Sequence, residues 1–192
     1  VSLPHRRGKN MKIIPTAIPG AMIIEPQVFG DHRGFFMETW NRKKFREAGL
    51  DFDFVQDNHS SSVKGTLRGL HYQTVNTQGK LVRVTAGRIF DVVVDLRRSS
   101  PTFGRWVGEY ISAEDKKMFW VPPGFAHGFL VLSDIAEFQY KCTDFYNPAH
   151  EKCIVWNDPQ LNIAWPLENG LQLILSEKDK AGQAFADAEV FP

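Results

Sequence analysis

The sequence predicts an all-β fold, a body of many short strands decorated by a few short helices, on three observations. From Lys12 to Trp165 short apolar runs are punctuated by Gly and Pro, leaving few windows for a long helix. Where the runs are clearest, apolar residues recur with a period of two. No strand–helix–strand alternation of the kind that builds a parallel sheet is visible, which leaves a sandwich, a jelly roll or a barrel, and a closed barrel is favoured. At 192 residues the chain is long enough for one domain with a core of its own, on a prior of roughly 150 residues per domain.

Taken in order, residues 1–10 (VSLPHRRGKN) are polar and basic and read as a disordered extension or an expression remnant, so the expected domain spans 11–192. Asn41 is placed to cap a helical segment ending at Gly49. In the run from Phe52 to Asn58 the face of Phe52 and Phe54 continues into Gln56 and Asn58, as a barrel mouth lined with hydrogen-bonding groups would. Lys80 to Arg97 reads as a hairpin: Val82, Val84 and Ala86 share a face, Gly87-Arg88 supplies the turn, and Phe90, Val92, Val94 and Leu96 share the next face. Ser112 with Asp115 has the spacing of a one-turn capping box. Ala136, Phe138, Tyr140 and Cys142 line the buried face of a later strand, and Ser176 with Asp179 opens a C-terminal helix.

Composition excludes several function classes. Lys and Arg number 23 against 22 Asp and Glu, a formal charge of +1 that gives no global field for nucleic acid or an anionic membrane, so anion binding has to be local. No apolar run approaches the roughly 20 residues of a membrane span. Only two cysteines, Cys142 and Cys153, are present and nothing resembles a secretory leader, which argues against a disulfide scaffold and for a reducing compartment. Glycine-rich phosphate loops, the G-x-S-x-G elbow and C-x-x-C are all missing.

Candidate chemistry gathers in a few segments. Lys80 shares the parity of Val82 and Val84, which turns an ammonium inward if that face lines the barrel; the plainer reading is a strand-end lysine reaching water. Arg68 to Gln73 puts a guanidinium, an imidazole, a phenol and an amide in six residues, and His127 follows the rigid turn Pro122-Pro123-Gly124. P-x-G-x-x-H resembles the second motif of cupin barrels, where that His helps hold a metal. The H-x-H pair of such sites is absent, because Tyr72-Gln73 follows His71. Two imidazoles without a nearby third donor fall short of the three ligands of a catalytic metal site, so no metal and no other cofactor is expected.

Asp31 to Glu38, Gln56 to Ser60, Leu67 to Gln73, Lys80 to Arg83, Phe90 to Arg97, Ser100 to Gly104 and Pro122 to Gly128, in this order, resemble the dTDP-4-dehydrorhamnose 3,5-epimerase family. The resemblance runs from about Pro15 to Asp179. It implies a metal-free, cupin-type jelly roll acting as a cytoplasmic homodimer on a dTDP-4-keto-6-deoxy sugar in dTDP-L-rhamnose synthesis. By the same resemblance His71 is the base, Tyr140 the acid, Lys80 the cation at the enolate oxygen and Asp179 the partner of His71. Arg33, Arg68 and Lys178 match positions that meet the diphosphate. Phe36, Glu38, Gln56, Asn58, Tyr146 and Glu151 match positions around thymidine and sugar, and His127 matches a second pocket imidazole. One arm crosses between subunits in the family, which implies that Arg33 to Glu38 serve the neighbour's pocket. Rival readings are an epimerase acting at one carbon, a sugar-binding jelly roll without catalysis, and a metal-dependent cupin enzyme.

Overall fold

A computed structural model of the chain describes residues 11–168 and 170–192; the reading of residues 1–10 lies outside the described residues. The all-β expectation holds. Among the described residues thirteen strands run β1 (Lys12–Pro15), β2 (Met22–Glu25), β3 (Val28–Asp31), β4 (Gly34–Met37), β5 (Gln56–Val63), β6 (Leu67–Gln73), β7 (Lys80–Ala86), β8 (Arg88–Asp95), β9 (Trp106–Ser112), β10 (Met118–Val121), β11 (Phe125–Val131), β12 (Ile135–Cys142) and β13 (Glu151–Cys153). Two short α-helices are α1 (Arg42–Glu47) and α2 (Glu177–Lys180). A six-stranded sheet has the order β1-β2-β10-β7-β12-β5, and a five-stranded sheet packed on it has the order β13-β6-β11-β8-β9. The hairpin β3–β4 pairs with neither. The jelly roll is thus built from two ladders whose inner faces meet.

Between the sheets lies a core of Val82, Val84, Val93, Phe119, Phe129, Val131 and Phe138, with Phe129 and Phe138 stacked at 4.5 Å between ring centroids. A second core covers the outer face of the five-stranded sheet, where Leu67, Leu70, Val92, Val94 and Leu130 meet Ile154, Leu161, Trp165 and Phe185 of the C-terminal segment. Strand β8 is therefore apolar on both faces, and every residue of it after Arg88 is buried. On the outer face of the other sheet α1 buries Phe45 beside Leu81, Met118 and Trp120.

The expected hairpin from Lys80 to Arg97 is corrected. Both strands form, but β7 pairs with β10 and β12 while β8 pairs with β11 and β9, so the chain changes sheet at Gly87. Gly87 sits at φ +75°, and a Cβ there would lie 2.0 Å from the Ile135 carbonyl oxygen. That corner needs glycine for the same reasons a tight hairpin does, and alternation cannot tell the two apart. The Ser112–Asp115 signal is half right: the two residues exchange the reciprocal bonds of a capping box at 3.1 Å, yet they close a turn with Lys116 at φ +59° and no helix follows. Asn41 caps α1 through the Lys44 amide, and Ser176 with Asp179 completes a capping box on the single turn of α2. No helix among the described residues is long and apolar enough to cross a membrane.

Candidate active site

The two sheets part at one end around a cavity of about 350 Å³, within the range of small-ligand sites. The five-stranded sheet contributes one wall. His71 on β6 and His127 on β11 are register partners, so two imidazoles stand side by side on it. The six-stranded sheet contributes the facing wall, where Tyr140 pairs with Asn58 and Cys142 pairs with both Gln56 and Lys80.

Strict alternation would set Arg68 and His71, three residues apart, on opposite faces of β6, yet both line the cavity. Gly69 between them breaks the parity. It sits at φ +127°, and a Cβ there would meet the Gly128 Cα at 2.5 Å, just where the register of β6 against β11 shifts between His127 and Phe129.

Each imidazole is backed by a carboxylate. Asp179, 3% exposed, bonds His71 Nε2 at 2.7 Å and also accepts from the Gly69 amide and the Ser176 hydroxyl. Burial alone would raise the Asp179 carboxyl, but the bonds from His71, Ser176 and Gly69 outweigh it and hold the group well below the usual carboxylate range. Asp91 on β8 is fully buried and bonds His127 Nε2 at 2.8 Å, while its other oxygen, Oδ2, has no partner among the described residues. Burial pushes Asp91 up, against the pull of His127 and Lys80.

On the facing wall the Lys80 Nζ lies 6.0 Å from the Tyr140 ring centroid and has no salt-bridge partner among the described residues. Burial draws Lys80 below the ordinary lysine range, offset in part by Cys142, Glu151 and Asp91. A half-buried ammonium without a counter-ion is a place for negative charge. Burial first, then the fields of Cys142 and Glu151, pushes the Tyr140 phenol up to about 12. It remains a proton donor throughout the neutral range. At the rim Lys178 pairs with Glu151 at 2.6 Å, the Tyr146 hydroxyl donates to Glu151 at 2.7 Å, and Arg68 donates to the Ser62 hydroxyl.

Of the residues singled out from the sequence, Gln56, Asn58, Arg68, His71, Lys80, His127, Tyr140, Tyr146, Glu151 and Lys178 all line this cavity, and Asp179 stands behind His71. Arg33, Phe36 and Glu38 do not. Arg33 and Phe36 line a separate depression on the β3–β4 hairpin, and Glu38 binds Lys44 and Asn41 near α1. Sequence reasoning missed Ser60, Gln78 and Asp91; the signal for Asp91 was a carboxylate inside the buried run Phe90 to Val94. It also missed Cys153, which pairs with His71 across β13 and β6 and gathers with His71 and Asp179, although not with His127.

Residues 15–187 match the profile of dTDP-4-dehydrorhamnose 3,5-epimerase. The chain belongs to the dTDP-4-dehydrorhamnose 3,5-epimerase family. A relative of that name from Pseudomonas aeruginosa is 62% identical over 183 residues, covering 95% of this chain and all of its own. The epimerase of Legionella pneumophila, solved in complex with dTDP-4-keto-L-rhamnose, superposes with a TM-score of 0.90 at 54% identity over 93% of this chain and 95% of its own. A 3'-monoepimerase from Streptomyces bikiniensis, solved with dTDP-quinovose, reaches a TM-score of 0.84 at 38% identity over 90% and 87%. Members of the dTDP-4-dehydrorhamnose 3,5-epimerase family are isomerases, and the all-β jelly roll of this chain is theirs.

Proposed function

We propose that this protein inverts C3 and C5 of dTDP-4-dehydro-6-deoxy-D-glucose, giving dTDP-4-dehydro-L-rhamnose, with residues 11–192 as a single catalytic domain. One observation carries the reading: His71 and Tyr140 stand on opposite walls of one cavity, with Lys80 on the wall of Tyr140. A C4 ketone makes the hydrogens at C3 and C5 acidic, because loss of either leaves an enolate spread onto O4. Inversion then needs a base on one face of the ring, an acid on the other and a cation at O4.

His71 takes the proton. Asp179 fixes the tautomer of its ring and balances the imidazolium that forms. Tyr140 returns a proton from the opposite face, and the ammonium of Lys80 receives the charge growing on O4. His127, held by Asp91, orients the sugar near O4. Arg68 and Lys178 at the rim meet the diphosphate, where charge-assisted bonds are strongest, and Tyr146 stacks on the base among Gln56, Asn58 and Glu151. Arg33, Phe36 and Glu38 reach a pocket only across a homodimer, each arm serving the neighbouring subunit. A nucleotide-sugar substrate supports a cytoplasmic location.

Turnover of dTDP-4-keto-6-deoxy-D-glucose in deuterated water, followed by NMR, tests the reaction. The expected result is deuterium at both C3 and C5 with inversion at both, and deuterium at C3 alone would make the protein a monoepimerase. His71→Ala should abolish exchange at both carbons, a loss of roughly 10² to 10⁴ in rate, while dTDP binding persists. Exchange retained at either carbon would remove His71 from the role of base.

A further inference from the structure

At His71 three potential ligands of different chemistry converge, two of which, Cys153 and Asp179, do not line the cavity. An imidazole nitrogen of His71, the Sγ of Cys153 and a carboxylate oxygen of Asp179 all lie within 4.8 Å of one another. Each comes from a different element: His71 from β6, Cys153 from its register partner β13, and Asp179 from the capped turn of α2. We propose that His71, Cys153 and Asp179 form an inhibitory site for one thiophilic divalent ion, of which Zn²⁺ is the type, which takes the place of the proton shared by His71 and Asp179.

The donor set decides the class of ion. A thiolate and an imidazole select Zn²⁺ and its neighbours over Mg²⁺ or Ca²⁺, which take oxygen ligands. Ligand bonds of about 2.0 Å to nitrogen and oxygen and about 2.3 Å to sulfur require these atoms to stand roughly 3.3 to 3.6 Å apart around a tetrahedral ion. His71 Nε2 and Asp179 Oδ1, now 2.7 Å apart, would open by about half an ångström, and the Cys153 sulfur, within 4.8 Å of a ligand atom of each, would settle about 3.5 Å from both. The thiol donates to the Ile154 carbonyl oxygen at 3.6 Å, a weak sulfur bond that ligation would replace. Both His71 and Cys153 are partly exposed, which gives an ion a way in. On binding, the Cys153 thiol releases its proton to solvent, and the proton that His71 Nε2 shared with Asp179 moves to Nδ1 of the same ring, so the imidazole stays neutral. The fourth position is left to water. An imidazole so occupied can no longer accept a substrate proton, so inhibition rests on the reading of His71 as base, whereas binding itself does not.

Co²⁺ added to the metal-free protein serves as the probe, because thiolate and tetrahedral ligation each give it a distinct absorption. The expected result is one equivalent bound with a thiolate charge-transfer band, displaced by Zn²⁺, and absent from Cys153→Ser while the uninhibited rate of that variant stays at the wild-type level. Zn²⁺ should inhibit the wild-type enzyme, reversibly by chelator, at concentrations at least tenfold below those needed for Cys153→Ser. A missing thiolate band, or one that survives in Cys153→Ser, overturns the site. A thiolate band together with undiminished C3 and C5 exchange upholds the site and overturns His71 as the base.

Discussion

Tyr140 is where side-chain chemistry can be separated from side-chain packing. Its ring packs against the inter-sheet core and lies 5.5 Å from that of Phe138, its hydroxyl is held protonated by burial, and the residue lines the cavity. Tyr140→Phe keeps the ring and deletes only the proton donor. His71 should continue to remove substrate protons, so deuterium still washes into the sugar, while net inversion falls by roughly 10² to 10⁴ relative to exchange. A hydroxyl that merely satisfied the core would be worth about 1 kcal/mol of stability and would leave epimerisation intact. Measuring inversion and exchange on one sample separates these outcomes, and equal wild-type rates for both would end the case for Tyr140 as acid. Lys80→Met offers a parallel test at the enolate oxygen: it keeps most of the stem and removes the charge, and both inversion and exchange should fall together, because enolate formation itself loses its cation.

At the level of elements, what was legible in the sequence followed local pattern. The inward face of Ala136, Phe138, Tyr140 and Cys142 and the caps at Asn41 and Ser176 depend on spacing within a few residues, and the structure has each of them. The expected continuous face from Phe52 to Asn58 is corrected: β5 begins only at Gln56, so Phe52 and Phe54 pack on Trp120 at the outer face of the sheet while Gln56 and Asn58 line the cavity. Pairing across distance was not legible. Alternation on β7 and β8 is the same whether they form a hairpin or sit in different sheets, and the shift at Gly69 that turns Arg68 and His71 to one face depends on the approach of β11. Asp95, at the end of β8, shows how a long connection is tied down. Its buried carboxylate accepts from the Arg97 guanidinium and backbone and from the Ser100 and Thr102 hydroxyls, and although burial opposes them these bonds hold it at about 2. Because the folded value lies below the unfolded carboxylate value, this contribution is fully present above about pH 4 and is lost as pH falls from 4 towards 2. Asp95→Asn should therefore lower stability by about 2 kcal/mol at neutral pH, and the gap to wild type should close over that acid window in denaturant titrations. A gap independent of pH would mean that the charge does not hold the loop.

The whole molecule leaves one element without a place. The β3–β4 hairpin joins neither sheet and exposes Phe29, Phe35 and Phe36, with Phe36 at 68%. A lone two-stranded hairpin is marginal in water, and exposed aromatics on it call for a covering surface. Under the homodimer proposed above, a second copy of the chain would supply one by two-fold symmetry, and that arrangement would also carry Arg33, Phe36 and Glu38 to a pocket they do not line within their own chain. A shared pocket would have a consequence that separate pockets cannot imitate. Arg33→Ala and His71→Ala should each impair their own homodimer, the first through diphosphate binding and the second through proton abstraction. In a heterodimer purified through two different tags, one pocket receives both lesions and the other receives neither, because the intact His71 lies in the subunit whose neighbour carries the intact Arg33. The heterodimer should then turn over substrate at about half the wild-type rate, one sound pocket of two. If each arm served its own chain, both pockets would carry one lesion, and the heterodimer would be no more active than the average of the two mutant homodimers. Steady-state rates of the three purified dimers at saturating and limiting substrate decide between these, and failure of the heterodimer to recover activity would return the arm to its own subunit.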